Sequence, residues 1–285
     1  MGPEEDRHRL TCGTHLLRLQ QQWKRIRHIP KSARTQFRYF HHNIGMPATY
    51  TAAYPKTPAE LLKAIDTLKL DFSEGTKFQF SELGPIVLGQ VLMKVQNKTL
   101  PDAFFQILTI AGMRDTVYLP KTDHSKIAPS GFTDRIAWGT PYNKLAHFLN
   151  DTAGNAGLFS TVPDLINYMQ LLLNKGKLPG YSRIFSEEVT DRFLNVTKYT
   201  KYNNTRALGW ETIPNGNCPC GKKFSPGKDS FGMADPSSGS FIWADKKKNV
   251  TIVLLANGAY PAKASSDPTL YQGAISDAIM TALGY

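Results

Sequence analysis

The sequence predicts an α+β fold for a chain of 285 residues. Two observations support this prediction: segments of helical periodicity recur along the chain up to about residue 194, and β-rich runs bounded by turn residues follow before a last helix. With 41% hydrophobic and 20% charged residues, the chain can bury a core in one large or two small domains. No apolar run approaches the roughly 20 residues needed to span a bilayer.

The first predicted helix is basic and amphipathic. Apolar residues recur at the helical period across residues 14–27, and Pro30 ends the pattern. More than half of the net charge of +11 lies within residues 1–38, a basic N-terminal arm. We expect residues 14–27 to form a solvated basic helix, with contact to an acidic membrane surface as the alternative. Nucleic-acid binding is not predicted, because aromatic residues are not interleaved with the basic ones.

The helical pattern recurs through the middle of the chain. Thr57 is placed as the N-cap of a helix that begins with Pro58 and presents an apolar face as far as Leu68. The segment from Gly84 to Val95 is apolar nearly all round, which predicts a buried helix. Further helices are predicted at residues 102–111, 162–174, 186–194 and 268–283.

The β-rich runs lie late in the chain, at residues 207–212, 240–244 and 250–256. Residues 245–249 are polar and join the last two runs as a hairpin loop. We therefore expect the arm to be followed by one folded region, residues 39–285. This region is predicted to be helical over about residues 40–200, with a sheet and a terminal helix over about residues 201–285.

The chain has three cysteines, so its fold is not expected to depend on a disulfide framework. Cys218 and Cys220 lack the further ligands that a zinc site needs, and we expect a redox-active or surface-loop pair instead. The histidines are not at metal-ligand spacing either; they include His41, His42, His124 and His147. Neither a metal nor a cofactor is predicted.

Five asparagines begin the Asn-x-Thr form of the N-glycosylation acceptor pattern. They are Asn97, Asn150, Asn195, Asn203 and Asn249. These patterns indicate a secreted parent protein. The first residues contain no apolar signal-peptide core and, taken literally, indicate a cytoplasmic protein, so the localisation stays open.

Several phrases of the chain together resemble a known superfamily in content and order. They lie at residues 42–47 (His-Asn-Ile-Gly-Met-Pro), 75–89, 112–116 (Gly-Met-Arg-Asp-Thr), 153–165 and 231–257. The ordered set covers about residues 37–285 and resembles the serine β-lactamases and penicillin-binding proteins, especially the class C enzymes, DD-peptidases, D-aminopeptidases and related esterases. The resemblance implies a β-lactamase/transpeptidase-like fold, an antiparallel sheet flanked by helices plus a helical region. It also implies that the superfamily's N-terminal strands and nucleophile helix are missing here.

The same resemblance implies a serine nucleophile in a Ser-x-x-Lys motif, where the lysine amine eases removal of the hydroxyl proton. No such motif precedes His42. The only Ser-x-x-Lys in the chain joins Ser225 to Lys228. Pro226 and Gly227 stand between them and disfavour the helix that would place both side chains on one face.

Two further catalytic elements are implied by the resemblance. One is a Tyr-Ser-Asn segment whose phenol relays a proton, and the other is a Lys-Thr-Gly or His-Thr-Gly strand that supplies a cation and a backbone amide. The positions equivalent to these motifs hold Phe80, Ser81 and Glu82, and then Met233, Ala234 and Asp235. Phenylalanine has no proton to exchange and methionine carries no charge. A new acid–base role for Glu82 is disfavoured but stays open.

These substitutions favour a catalytically incomplete, β-lactamase-related protein that acts as a binding or assembly module, with a small molecule or peptide in the residual cleft. The alternative is a serine hydrolase acting on an amide or ester, represented by a truncated or variant chain. We interpret Asp134, Asp151 and Asp164 as caps or surface groups. Whether the chain is an enzyme, and its oligomeric state, are not defined by the sequence.

Overall fold

An antiparallel sheet with helices on both of its faces forms the late part of the chain. The computed structural model describes residues 46–73, 76, 79–131, 136–178, 180, 183–195, 206–213, 218–235, 238–258, 260 and 270–285. The predicted basic helix at residues 14–27, together with His41, His42, Asp134 and Asn203, lies outside these residues. Within them the predicted α+β class is confirmed.

The helices and strands are numbered here in chain order. The helices are α1 (Pro58–Asp66), α2 (Leu83–Gln96), α3 (Leu100–Ile110), α4 (Lys144–Phe148), α5 (Val162–Leu173), α6 (Glu187–Leu194) and α7 (Leu270–Ala282). The strands are β1 (Val117–Tyr118), β2 (Ser130–Gly131), β3 (Ile136–Ala137), β4 (Leu158–Phe159), β5 (Glu211–Ile213), β6 (Gly227–Ala234), β7 (Phe241–Asp245) and β8 (Val250–Leu254).

Local signals in the sequence set the start of α1. Thr57 accepts a hydrogen bond from the backbone of Glu60, whose side chain accepts from the backbone of Thr57 in return, a complete capping box. Pro58 stands at the first helical position, as predicted. The start of α6 is also confirmed, because the Ser186 side chain caps the backbone of Val189.

Helix α2 was predicted to be a buried helix, and this is only partly correct. Leu83 and Ile86 are buried in a core cluster with Leu61 of α1 and Leu145 of α4. Leu88 and Val95, on the same helix, are 39% and 42% exposed. An apolar sequence does not mark the exposed side when a helix meets its neighbours along one stripe only.

The main sheet is antiparallel, with the strand order β5-β6-β7-β8. Strands β7 and β8 form the predicted hairpin across residues 245–249, with Trp243 opposite Ile252. The strand predicted at residues 207–212 is shorter than expected and begins at Glu211, after an isolated bridge from Arg206. Sequence periodicity also missed the pairs β1-β4 and β2-β3, since strands of two residues are too short to show alternation.

The two faces of the sheet pack against different helices. On one face, Met169 and Leu172 of α5 join Phe231 and Ala244 in a buried cluster. On the other face, Met280 of α7 packs against Trp243 and Ile252. Successive residues of a strand point to opposite faces, so β7 contributes to both clusters.

Cys218 and Cys220 form a disulfide bond. The expectation of a surface-loop pair is wrong for Cys220, which is fully buried in the cluster around Met280. The following turn is fixed to α7, because Asp277 accepts hydrogen bonds from the backbone of Lys222 and Lys223. The pair therefore belongs to the packing between the sheet and α7.

None of the helices in the described part of the chain is long and apolar enough to cross a lipid bilayer.

Candidate functional site

The positions equivalent to the catalytic motifs lie on two separate elements. Phe80, Ser81 and Glu82 immediately precede α2, while Met233 and Ala234 end β6 and Asp235 follows in the turn to β7. The segment before α2 is hydrogen-bonded to the chain near residue 48. The backbone N–H of Glu82 donates to the Ala48 carbonyl at 3.0 Å.

The hydroxyl of Ser81 is hydrogen-bonded to two backbone groups. It donates to the Pro47 carbonyl at 2.6 Å and accepts from the backbone N–H of Leu83 at 3.2 Å. The residue is buried, with 4% of its surface exposed. A hydroxyl held in this way links two chain segments.

The carboxylate of Glu82 is bound by three side chains. It accepts hydrogen bonds from the Thr49 hydroxyl, from Asn143 at 2.7 Å and from Asn155 at 3.3 Å. Burial, followed by the negative charge of Glu82, raises the pKa of Tyr54. Because donors surround it, the carboxylate serves to join the loop at residue 49, α4 and the phrase at residues 153–165.

Phe80 faces an ion pair that sequence reasoning did not find. Its ring is 52% exposed, and the guanidinium carbon of Arg206 lies 5.6 Å from the ring centroid. Arg206 in turn pairs with the Glu211 carboxylate. We call Phe80, Arg206 and Glu211 the Phe80 patch. No local pattern signals it, because Phe80 is far in sequence from Arg206 and Glu211 and meets them only through the fold.

Burial dominates the electrostatics of the Phe80 patch. It lowers the pKa of Arg206, although Glu211 acts in the opposite direction. It also raises the pKa of Glu211, against the opposing effect of Arg206. For each group, the loss of hydration disfavours the charged form more strongly than the opposite charge of its partner favours it.

The patch adjoins the position where the superfamily has a cation. Glu211 pairs across the sheet with Gly232, whose neighbour is Met233. Met233 is half-buried and packs against the cluster that contains Phe231. Asp235 accepts a hydrogen bond from the backbone of Ser238 at 3.0 Å and shapes the turn to β7. The structure thus brings Phe80 and the end of β6 to one region through Arg206 and Glu211.

Ser225 and Lys228 do not lie on a helix. Ser225 is buried just before β6, and its backbone N–H donates to the Asp245 carboxylate at 2.7 Å. Lys228 is exposed on the strand that follows, after Gly227 with a φ of 69°. The two side chains therefore lack the one-face arrangement that lysine-assisted activation uses.

The described histidines have structural partners. His124 stacks on Trp138, with ring centroids 5.7 Å apart, and His147 contacts the Asp151 carboxylate at 2.8 Å. In the described ranges no three His, Cys, Asp or Glu residues are grouped as metal ligands would be.

A family model described as Beta-lactamase matches residues 38–274. The chain belongs to the β-lactamase family. An N-acetylmuramyl-L-alanine amidase of Bacillus subtilis (strain 168) is 24% identical to this β-lactamase-family chain over 264 residues, covering 81% of the chain and 58% of the amidase. The chain thus spans less than two thirds of the curated relatives' length.

Solved structures share the fold of this β-lactamase-family chain. A class C β-lactamase mutant matches with a TM-score of 0.61 and 17% identity, covering 86% of the chain and 70% of that structure. A β-lactamase/D-alanine carboxypeptidase from Pseudomonas syringae matches with a TM-score of 0.59 and 16% identity, covering 82% and 70%. The predicted β-lactamase/transpeptidase-like fold is therefore confirmed.

The phrases that first suggested the β-lactamase family have structural roles in this chain. Asp164, interpreted from sequence as a cap or surface group, is buried. It accepts hydrogen bonds from the backbone of Asp115 at 2.8 Å and from the Thr116 hydroxyl at 2.7 Å. The phrase at residues 112–116 is thereby fixed to the start of α5.

The glycines of the phrase at residues 153–165 meet close neighbours. A Cβ atom on Gly154 would lie 1.9 Å from the Pro85 carbonyl oxygen in the first turn of α2. Gly157 has a φ of 115°, and its Cβ would lie 2.3 Å from the Asp151 carbonyl oxygen. Only glycine fits these approaches without a shift of backbone.

Proposed function

We propose that this β-lactamase-family chain is a binding module and that it does not itself catalyse hydrolysis. The observation that carries the proposal is the half-exposed Phe80 ring under the Arg206 guanidinium, where the family resemblance implies a proton-relaying tyrosine. An aromatic face beside a charged group favours a small molecule or peptide with both apolar and anionic parts.

The state of the neighbouring polar groups supports the proposal. The Ser81 hydroxyl is hydrogen-bonded to backbone groups, and the Glu82 carboxylate is held by three donors. Met233 offers no charge to an oxyanion. The hydrogen bonds of Ser81 and Glu82 therefore hold chain segments together. No side chain at the motif-equivalent positions is arranged to transfer a proton to or from a ligand.

A serine hydrolase that acts on an amide or ester is the second candidate. The names of similar proteins favour it, since they include an amidase and a β-lactamase/D-alanine carboxypeptidase. This candidate requires a reactive serine that becomes acylated.

Covalent labelling distinguishes the two candidates. The folded chain is incubated with a fluorescent penicillin and with a fluorophosphonate, and any adduct is located by mass spectrometry. We expect no specific adduct. An adduct on one serine, with Ser81 and Ser225 checked first, that disappears when the chain is denatured before labelling would establish the hydrolase instead.

Binding is measured in the same preparation with an acyl-D-alanyl-D-alanine peptide, whose terminal carboxylate and apolar acyl group match the Phe80 patch. We expect Phe80→Ala to weaken binding about tenfold, as loss of one aromatic anchor does. Phe105→Ala is the matched control, because Phe105 is also exposed and lies on α3. Equal affinities for wild type and both variants would remove the patch from the binding site.

A further inference from the structure

We propose that Asn97, Asn150, Asn195 and Asn249 carry N-linked glycans, so that this β-lactamase-family domain is a glycoprotein of an oxidising secretory lumen. The proposal is separate from the binding role of the Phe80 patch. It rests on a difference in exposure and side-chain hydrogen bonding between the asparagines inside and outside the acceptor pattern.

Five of the 14 asparagines begin an acceptor pattern, and four of these five are in the described part of the chain. All four are exposed. Their side-chain amides make no hydrogen bond to any described residue. Each amide nitrogen is therefore available without the loss of a hydrogen bond to the described part of the chain.

Asparagines outside the acceptor pattern behave differently. The side chains of Asn143, Asn155, Asn167 and Asn257 each donate a hydrogen bond to a protein group. Asn174 is exposed without such a bond and is the exception among the described residues. A glycan on a hydrogen-bonded amide would remove a contact that folding uses. The acceptor patterns coincide with the asparagines where no such loss occurs.

The backbone places these side chains at points where the chain turns. Asn97, Asn150 and Asn249 have φ values of 52°, 63° and 53° at the ends of α2, of α4 and of the β7-β8 loop. Asn195 follows the last residue of α6. A bulky, hydrophilic glycan is accommodated at such surface turns without displacing packed side chains.

The bonded pair of Cys218 and Cys220 supports the same compartment independently. Disulfides persist in the oxidising lumen and are rare in the cytosol. That lumen is also where N-glycans are attached. Two unrelated chemical features of the chain therefore point to one environment.

The modification is a group transfer from a lipid diphosphate-linked oligosaccharide. The side-chain nitrogen of asparagine forms a bond to C1 of the first sugar, and the bond between C1 and the diphosphate oxygen breaks. The asparagine amide loses one proton, and the lipid diphosphate is the leaving group. Near Asn97, the attached glycan would cover the shallow groove lined by Met93, Lys94 and Asp102.

The test uses protein captured with an antibody from cells that express it naturally. Treatment with peptide-N-glycosidase in heavy-oxygen water converts each glycosylated asparagine to isotopically labelled aspartate, and peptide mass spectrometry locates the label. We expect label at all four asparagines and none at Asn174, the matched exposed residue. Recovery of the four as plain asparagine overturns the proposal.

A second measurement controls for incomplete digestion. The full chain is directed into the secretory pathway of cultured cells, and its mobility is compared with that of Asn249→Gln and Asn174→Gln. We expect Asn249→Gln to lose one glycan increment and Asn174→Gln to migrate as wild type. Identical mobility of all three, with and without the glycosidase, contradicts glycosylation of Asn249.

Discussion

At the scale of single residues, the proposal of a binding module depends on the side chains at the motif-equivalent positions. Phe80 and Met233 carry no titratable group, Ser81 donates to a carbonyl, and Glu82 accepts from three side chains. These groups contribute to shape, charge and attachment. If the chain is a binding module as proposed, adding one missing group should not produce catalysis, since the remaining elements would still lack their partners.

Phe80→Tyr tests this directly. The added hydroxyl extends from a half-exposed ring, so we expect a normally folded protein. A phenol without a serine-lysine pair has no acyl-enzyme to form or break. We expect the variant to remain unlabelled by fluorescent penicillin. Specific acylation of Phe80→Tyr would mean that a nucleophile is present and that only the proton relay was lost.

Asp164→Asn tests the clamp between residues 112–116 and α5. The substitution keeps the shape but removes the charge that strengthens hydrogen bonds from Asp115 and Thr116. We expect the free energy of unfolding in urea to fall by about 2 kcal/mol. Asp66→Asn, an exposed control, should change it by less than about 0.5 kcal/mol. Equal values for both would show that the clamp is not stabilising.

Glu211→Gln tests the electrostatics of the Phe80 patch. Burial raises the pKa of Glu211 above its ordinary value of 4.5, so the folded chain holds the proton at pH values where the unfolded chain has released it. The free energy of unfolding of wild type should therefore fall as the pH rises from 4.5 to the folded pKa.

We expect the difference in unfolding free energy between Glu211→Gln and wild type, measured by denaturant titration at several pH values, to increase across this window and then level off. A pH-independent difference would place Glu211 in a solvated setting, in conflict with the buried ion pair.

At the scale of elements, close approach of backbone determines the arrangement around α2. Gly154 lies against the first turn of α2, and Gly89, one turn later, lies near Gly154 as well. The phrase at residues 153–165 thus packs directly against the backbone of α2. Asn155 extends the same contact to Glu82.

Gly154→Ala should be strongly destabilising. Its methyl group would lie against the Pro85 carbonyl, and separating the two segments costs roughly 3 kcal/mol. Gly180→Ala is the control: its φ of 77° is strained for alanine, but no atom lies within 4 Å, so we expect about 1 kcal/mol. Thermal unfolding monitored by circular dichroism measures both. Similar losses for the two variants would mean that the steric contact relaxes freely.

Sequence reasoning succeeded where the cause is local. The cap at Thr57, the helix near residues 186–194 and the β7-β8 hairpin depend on residues close together in the sequence. Sequence reasoning failed where a feature depends on residues that are far apart in the sequence. The exposed side of α2, the burial of Cys220 and the contact of Phe80 with Arg206 are set by which segments meet in the fold.

At the scale of the whole molecule, the candidate site lies between the start of α2 and the end of β6. Arg206 and Glu211 connect these regions, because one contacts Phe80 and the other pairs with Gly232. The resemblance correctly gave the fold, since its phrases hold the backbone together at Gly154 and Asp164. It could not give the function, because fold and chemistry are specified by different residues.

The three donors around Glu82 also make this site sensitive to orientation. Asn143 and Asn155 donate to one oxygen of the carboxylate, and the Thr49 hydroxyl donates to the other. A carboxylate presents an acceptor on both sides, whereas an amide presents an acceptor on one side and an NH₂ donor on the other. A glutamine here would satisfy its neighbours with its oxygen toward the two asparagines and its NH₂ group toward the Thr49 hydroxyl, which can also accept. The surroundings of Glu82 thus select orientation: a carboxylate fits either way round, and an amide fits only one way round.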